Sequence, residues 1–112
     1  MYVLVLVLNR TECVNKILES LLKIGIKGAT VLDSKGMGQA FMECESPVFG
    51  GLRSLIFNQC RPSNQTLFSV VESKEKVELA IAEIEKITGS LGKPGTGVVF
   101  ALPLEIVKGI TL

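Results

Sequence analysis

Four apolar runs and two amphipathic stripes alternate along the chain in a fixed order. Tyr2-Val-Leu-Val-Leu-Val-Leu8 is a continuous apolar run closed by the polar pair Asn9-Arg10, the pattern of a strand buried on both faces. Thr11 stands where an N-cap belongs, with Glu12 in the first turn. Val14, Ile17, Leu18, Leu21 and Leu22 then recur at helical spacing up to a stop at Gly25. Ala29 to Asp33 reads as a second strand and Thr66 to Val71 as a third. Ser73 caps a second helix whose inward stripe is Val77, Ala80, Ile81, Ile84 and Ile87. Glu75 near its start and Lys86 near its end suit the helix dipole, and Gly89 ends it. After a glycine-rich stretch, Val98 to Leu102 forms a fourth strand closed by Pro103.

The order predicts a ferredoxin-like α+β fold: a βαββαβ antiparallel sheet with two helices on one face and a long loop between strands 2 and 3. At 112 residues the chain is a single domain, 1–112, able to bury about 60–70% of the surface it exposes when unfolded. Two helices cover only one face of such a sheet, yet the first strand is apolar on both. Leaving those Val and Leu side chains in water forfeits ~1.5–3 kcal/mol each, so copies of the chain are expected to bury the second face against one another as an obligate oligomer.

Residues 36–64 are far longer than a hairpin connection needs. Phe41, Met42, Val48, Phe49, Leu52, Leu55, Ile56 and Phe57 all lie there, a composition unlike that of disordered segments. Val48, Leu52, Leu55 and Ile56 share one helical face after Pro47. The segment packs on its own or a neighbouring subunit, or presents Phe49, Leu52, Leu55 and Phe57 to a partner protein; the two are compatible.

Charge and composition narrow the function. The net charge is +1, Trp is absent and the single Tyr is Tyr2, so neither a phosphate-tracking basic surface nor a base-stacking platform is present. The apolar N-terminus is too short for a signal segment or a bilayer span, and three Cys at unrelated spacings do not form a disulfide framework; the expected compartment is the cytoplasm. With no His in the chain, the commonest general base and metal ligand is missing. Cys44 and Cys60 with Glu43 or Glu45 are a poor zinc set, and no metal site is assigned. Cys13 reads as packing. Gly89-Ser-Leu-Gly-Lys93 is not a Walker loop: the spacing is wrong, Pro94 follows the Lys, and a strand comes next. No catalytic residue is assigned, and the chain reads as a binding protein, not an enzyme.

Two stretches resemble the PII family of nitrogen-regulatory signal-transduction proteins. Gly25 to Gln39, with its Gly36-Met37-Gly38 start followed by Gln, is similar to the entry into the family's T-loop. Thr88-Gly89 through Gly95-Thr-Gly-Val-Val-Phe-Ala-Leu-Pro103 is similar to its B-loop and last strand. With the element order, the resemblance covers nearly the whole chain, making 36–64 T-loop-like and 89–97 B-loop-like. It implies a homotrimer with a small effector in each inter-subunit cleft. The implied effector is an adenine nucleotide (ATP, ADP or AMP, with Mg accompanying ATP), without an obligatory cofactor. The long loop would regulate a transporter or enzyme of nitrogen or carbon metabolism. Thr30, Gly36, Met37, Gly38, Gln39, Gly92, Lys93, Gly95, Thr96 and Gly97 are the ligand-binding residues it points to, the glycines supplying outward N–H groups for phosphate.

The chain departs from the family in its cations. Val98 stands where the B-loop carries a phosphate-gripping Lys, and the loop is about three residues longer, with Lys93-Pro94 in the added part. The basic pair of the C-terminal arm falls near Gly109 and Thr111, leaving Lys108 nearby. No counterpart of the 2-oxoglutarate lysine stands near Asn64, and the long loop has no Tyr to modify. Three alternatives therefore stay open beside a nucleotide sensor: a trimeric ferredoxin-like protein of the divalent-cation-tolerance type, a PII-shaped scaffold that binds no nucleotide, and a small enzyme using Cys44 or Cys60.

Overall fold

The computed structural model describes residues 1–37 and 64–111. Strand β1 spans Tyr2–Leu8, a 3-10 turn Thr11–Cys13, helix α1 Val14–Lys23, and β2 Thr30–Ser34. Strand β3 spans Asn64–Val71, α2 Lys74–Thr88, and β4 Gly97–Pro103. The four strands form one antiparallel sheet in the order β2-β3-β1-β4. This is the expected α+β arrangement, with β1 and β2 parallel to each other on either side of β3.

Alternation along β1 builds the core. Leu4, Leu6 and Leu8 are fully buried beneath the helices, against Ile17 and Leu21 of α1 and Val77, Ala80 and Ile84 of α2. Each such leucine contributes ~1.5–3 kcal/mol over an exposed one. Cys13 is buried in the same cluster as a free thiol, in the packing role its place beside the apolar stripe indicates.

The helix ends follow local chemistry, with one correction. Ser73 caps α2, its hydroxyl accepting the Lys76 N–H at 3.2 Å, and Gly89 (φ 80°) ends it. Gly25 (φ 92°) ends α1 in the left-handed region. Thr11, however, does not cap α1: it lies inside the 3-10 turn, and neither that turn nor α1 has a side-chain cap. The tighter turn satisfies the first N–H groups instead, Cys13 N–H donating to the Arg10 carbonyl at 3.0 Å. Strand β3 also begins two residues before the apolar run, at Asn64, because Asn64 and Gln65 pair with Ser34 and Asp33.

The second face of the sheet is uncovered in the isolated chain. By register it carries Val3, Val5 and Val7 of β1, Phe68 and Val70 of β3, Val98, Phe100 and Leu102 of β4, and Leu32 of β2. Leu32, Val98, Phe100 and Leu102 are each about half exposed. No helix of the described residues is long and apolar enough to cross a membrane.

Candidate functional site

The described residues place the sequence-derived ligand positions in three separate groups. Thr30 opens β2, opposite Phe68. Gly36 and Met37 follow the other end of the same strand. Gly92, Lys93, Gly95, Thr96 and Gly97 lead into β4 at the opposite edge of the sheet. Gly36 and Gly97 lie at the same end of the sheet, since Leu8 pairs with both Gln65 and Gly97 and Ser34 pairs with Asn64. Three inter-strand steps of about 4.8 Å still hold their edges ~14 Å apart. Gly38, Gln39, Phe49, Leu52, Leu55, Phe57, Cys44 and Cys60 lie outside the described residues.

Around Thr30 the chain forms a cleft of about 760 Å³. It is lined by the α1–β2 turn, Gly25 to Ala29, by the end of β3 from Phe68 to Val71, by Glu72 and Lys76 beyond it, and by Ile110 and Thr111 of the C-terminal arm. The turn is held from both sides. Ile26 is buried and its N–H donates to the Leu21 carbonyl at 2.9 Å, while the buried Ser69 hydroxyl donates to the Gly28 carbonyl. Phe68 offers a 38% exposed aromatic surface on the same sheet face as Thr30. Sequence reasoning did not find Lys27, Phe68 or Lys76 as cleft residues, because only the β2–β3 register and the α2 packing bring them together.

Two of the cleft's charges neutralise each other. The Lys76 ammonium donates to the Glu72 carboxylate at 2.8 Å. That hydrogen bond, with the attraction of the same cation, holds the Glu72 carboxyl below its ordinary range. Lys76 Nζ also packs at the end of α1, 2.9 Å from where a Cβ on Gly25 would stand, a position favourable for a cation.

The glycine-rich loop 89–97 is bonded to itself. Leu91 N–H donates to the Glu85 carboxylate at 3.1 Å and Gly92 N–H to the Ser90 hydroxyl at 3.2 Å. Lys93 N–H donates to the Ser90 carbonyl at 3.2 Å and Thr96 N–H to that of Lys93 at 3.4 Å. The Thr96 carbonyl then accepts the Asn9 N–H at 3.1 Å, and Arg10 donates to the Thr88 carbonyl at 2.8 Å. The loop is therefore tied to β1, with three of its N–H groups on its own acceptors and those of Gly89 and Leu91 on Glu85 of α2. Val98, where the resemblance places a lysine, points onto the uncovered sheet face beside Val7.

At the other end of β2 a polar latch joins the two strands that flank residues 38–63. The Asn64 amide donates to the Ser34 hydroxyl and, at 2.7 Å, to the Ser34 carbonyl; its oxygen accepts the Gly36 N–H at 3.2 Å. Ser34 Oγ in turn lies 2.9 Å from Thr66 Oγ1. Asn64 is only 8% exposed, so the latch is a part-buried polar network whose members satisfy one another.

The family model for nitrogen regulatory protein P-II matches residues 2–111. The chain belongs to the PII family. A crystal structure of Arabidopsis thaliana PII bound to citrate matches with a TM-score of 0.60 and 25% sequence identity, covering 92% of this chain and 76% of that one. No curated protein sequence matches the chain. Membership of the PII family makes this a PII-like protein of the regulatory kind, and it extends the resemblance at Gly25–Gln39 and Thr88–Pro103 to nearly every residue.

Proposed function

We propose that this PII protein is a homotrimeric signalling protein that binds a small effector between subunits, an adenine nucleotide foremost, and relays its presence to a partner of nitrogen or carbon metabolism through residues 36–64. The observation that carries this reading is the division of the ligand positions. One copy supplies a cleft at Thr30 on one edge of its sheet, and its glycine loop 89–97 stands at the far edge. A composite site needs the cleft of one copy and a loop of another. The uncovered apolar sheet face supplies a reason for copies to associate. On this reading Thr30, Gly28 and Phe68 hold the ligand's planar body, while Gly36, Met37, Gly38, Gln39, Gly92, Lys93, Gly95, Thr96 and Gly97 approach its phosphates. Phe49, Leu52, Leu55 and Phe57 are the residues proposed to meet the partner. No catalytic role is assigned, and the cytoplasm is the proposed compartment.

One observation favours a second reading, a PII-shaped scaffold that binds no nucleotide phosphate: the loop 89–97 spends three N–H groups on its own acceptors and two more on Glu85 of α2. Calorimetric titration with ATP, ADP and AMP in the presence of magnesium separates the two. Saturable binding at one site per chain supports the sensor. Absence of heat and of thermal stabilisation with all three leaves the scaffold.

A further inference from the structure

The cleft at Thr30 carries three charged side chains: Lys27, Glu72 and Lys76. Lys76 and Glu72 form an ion pair at 2.8 Å, and the Lys76 ammonium is further fixed against Gly25 at the end of α1. Lys27 has no carboxylate or hydrogen-bond partner among the described residues, and its side chain is exposed. The cleft wall therefore carries one uncompensated positive charge.

The mount of that charge is rigid. Lys27 lies between Ile26, buried and bonded through its N–H to Leu21, and Gly28, whose carbonyl accepts the Ser69 hydroxyl. Beside it, nothing stands within 4 Å of where a Cβ on Gly28 would project, so an approaching molecule meets bare backbone there. The exposed ring surface of Phe68 lines the same cleft. An open backbone shelf, an aromatic surface and one free cation together suit a planar ring that carries an anionic group.

Resting on the nucleotide reading above, we infer that Lys27 is the anion anchor of the cleft: its ammonium holds a phosphate of the bound nucleotide. It thereby takes up work for which Val98, Gly109 and Thr111 have no charge. The lysine makes no contact that the fold depends on, so its removal leaves the sheet and core intact.

The test is titration of wild-type protein, Lys27→Met and Lys27→Arg with AMP, adenosine and inorganic phosphate, each variant first checked for an unchanged melting temperature. A charge-assisted hydrogen bond predicts that Lys27→Met weakens AMP binding about tenfold or more while adenosine binds all three proteins alike, and that Lys27→Arg restores most of the AMP affinity. Equal AMP affinity in wild type and Lys27→Met overturns the assignment while leaving the nucleotide site standing. An equal loss for adenosine overturns it as well, because the lysine would then be holding the base or the turn. Wild-type protein that binds inorganic phosphate but neither AMP nor adenosine, or that binds none of the three, removes the nucleotide reading and the anchor with it.

Discussion

Asn64 and Gly36 are joined across the mouth of the long segment: the Asn64 side-chain oxygen accepts the Gly36 N–H at 3.2 Å, and its amide nitrogen donates to the Ser34 carbonyl at 2.7 Å. One side chain thus substitutes for sheet pairing at the point where β2 runs out. Asn64→Ala leaves the part-buried Gly36 N–H and Ser34 carbonyl without this partner and is expected to cost ~1–3 kcal/mol, read as a lower denaturation midpoint. Asn64→Asp keeps an acceptor for Gly36 but has no N–H for Ser34, and at neutral pH it should fall no closer to wild type than Asn64→Ala. A wild-type midpoint in both would show that solvent replaces the latch.

Gly97 is the position where the fold least tolerates a side chain. Its φ is 152°, and a Cβ there would stand 2.5 Å from the Val7 carbonyl oxygen. Gly97→Ala should therefore destabilise by ~1–3 kcal/mol through backbone strain and a displaced β1–β4 ladder. Gly28→Ala, where the same atom meets open space, is the control expected to melt close to wild type. It should still weaken nucleotide binding if the shelf beside Lys27 receives the ligand. Chemical denaturation of the two variants side by side checks the contrast.

The Glu72–Lys76 pair gives stability a defined pH dependence. The Glu72 carboxyl is held below its ordinary value of 4.5 by the Lys76 hydrogen bond first and by its charge second. A depressed carboxyl contributes stability that is fully present above its unfolded value and is lost as pH falls through the folded value. Lys76→Met should return the Glu72 titration to the ordinary carboxylate range, followed by carbon-detected NMR, and remove that segment of acid sensitivity. Because Glu72 is half exposed, added salt should diminish the effect in wild type. An unmoved titration in Lys76→Met would assign the depression to another group.

Assembly can be tested on the uncovered sheet face. Phe100 is 45% exposed there and paired with Val5, so Phe100→Asp should cost the isolated chain little while placing a carboxylate in any face-to-face contact. Light scattering is expected to give a multiple of the chain mass for wild type and a smaller mass for the variant. A monomeric wild type would end the trimer proposal. An unchanged multimer in Phe100→Asp would place the contact elsewhere.

The elements that repeat with a short period were readable before folding. The strand read for Tyr2–Leu8 is present, and Ser73 and Gly89 bracket α2, each where its pattern put it. What escaped depended on neighbours distant in sequence. Asn64 resembled loop because its purpose is to bond Ser34 and Gly36, some thirty residues earlier. Phe68 gave the periodicity of a strand and no hint that it would pair with Thr30 and line a cleft with Lys27. Gly92 read as a free N–H donor because nothing in the residue pattern reveals that its N–H turns to the Ser90 hydroxyl. Thr11 had the chemistry of a cap, but the 3-10 turn occupied its place. Periodicity reports burial against a surface, whereas register and side-chain reach determine which residues meet.

The pairing of Ser34 with Asn64 has an evolutionary corollary. The chain leaves the sheet and re-enters it at adjacent positions that are bonded to each other, so the scaffold registers only that the two ends meet. Each doubling of the intervening length costs about 0.6 kcal/mol of closure entropy, less than the Asn64 latch is expected to contribute. The stretch between them can therefore be shortened, lengthened or rewritten as an interchangeable cassette while the sheet that carries it stays the same.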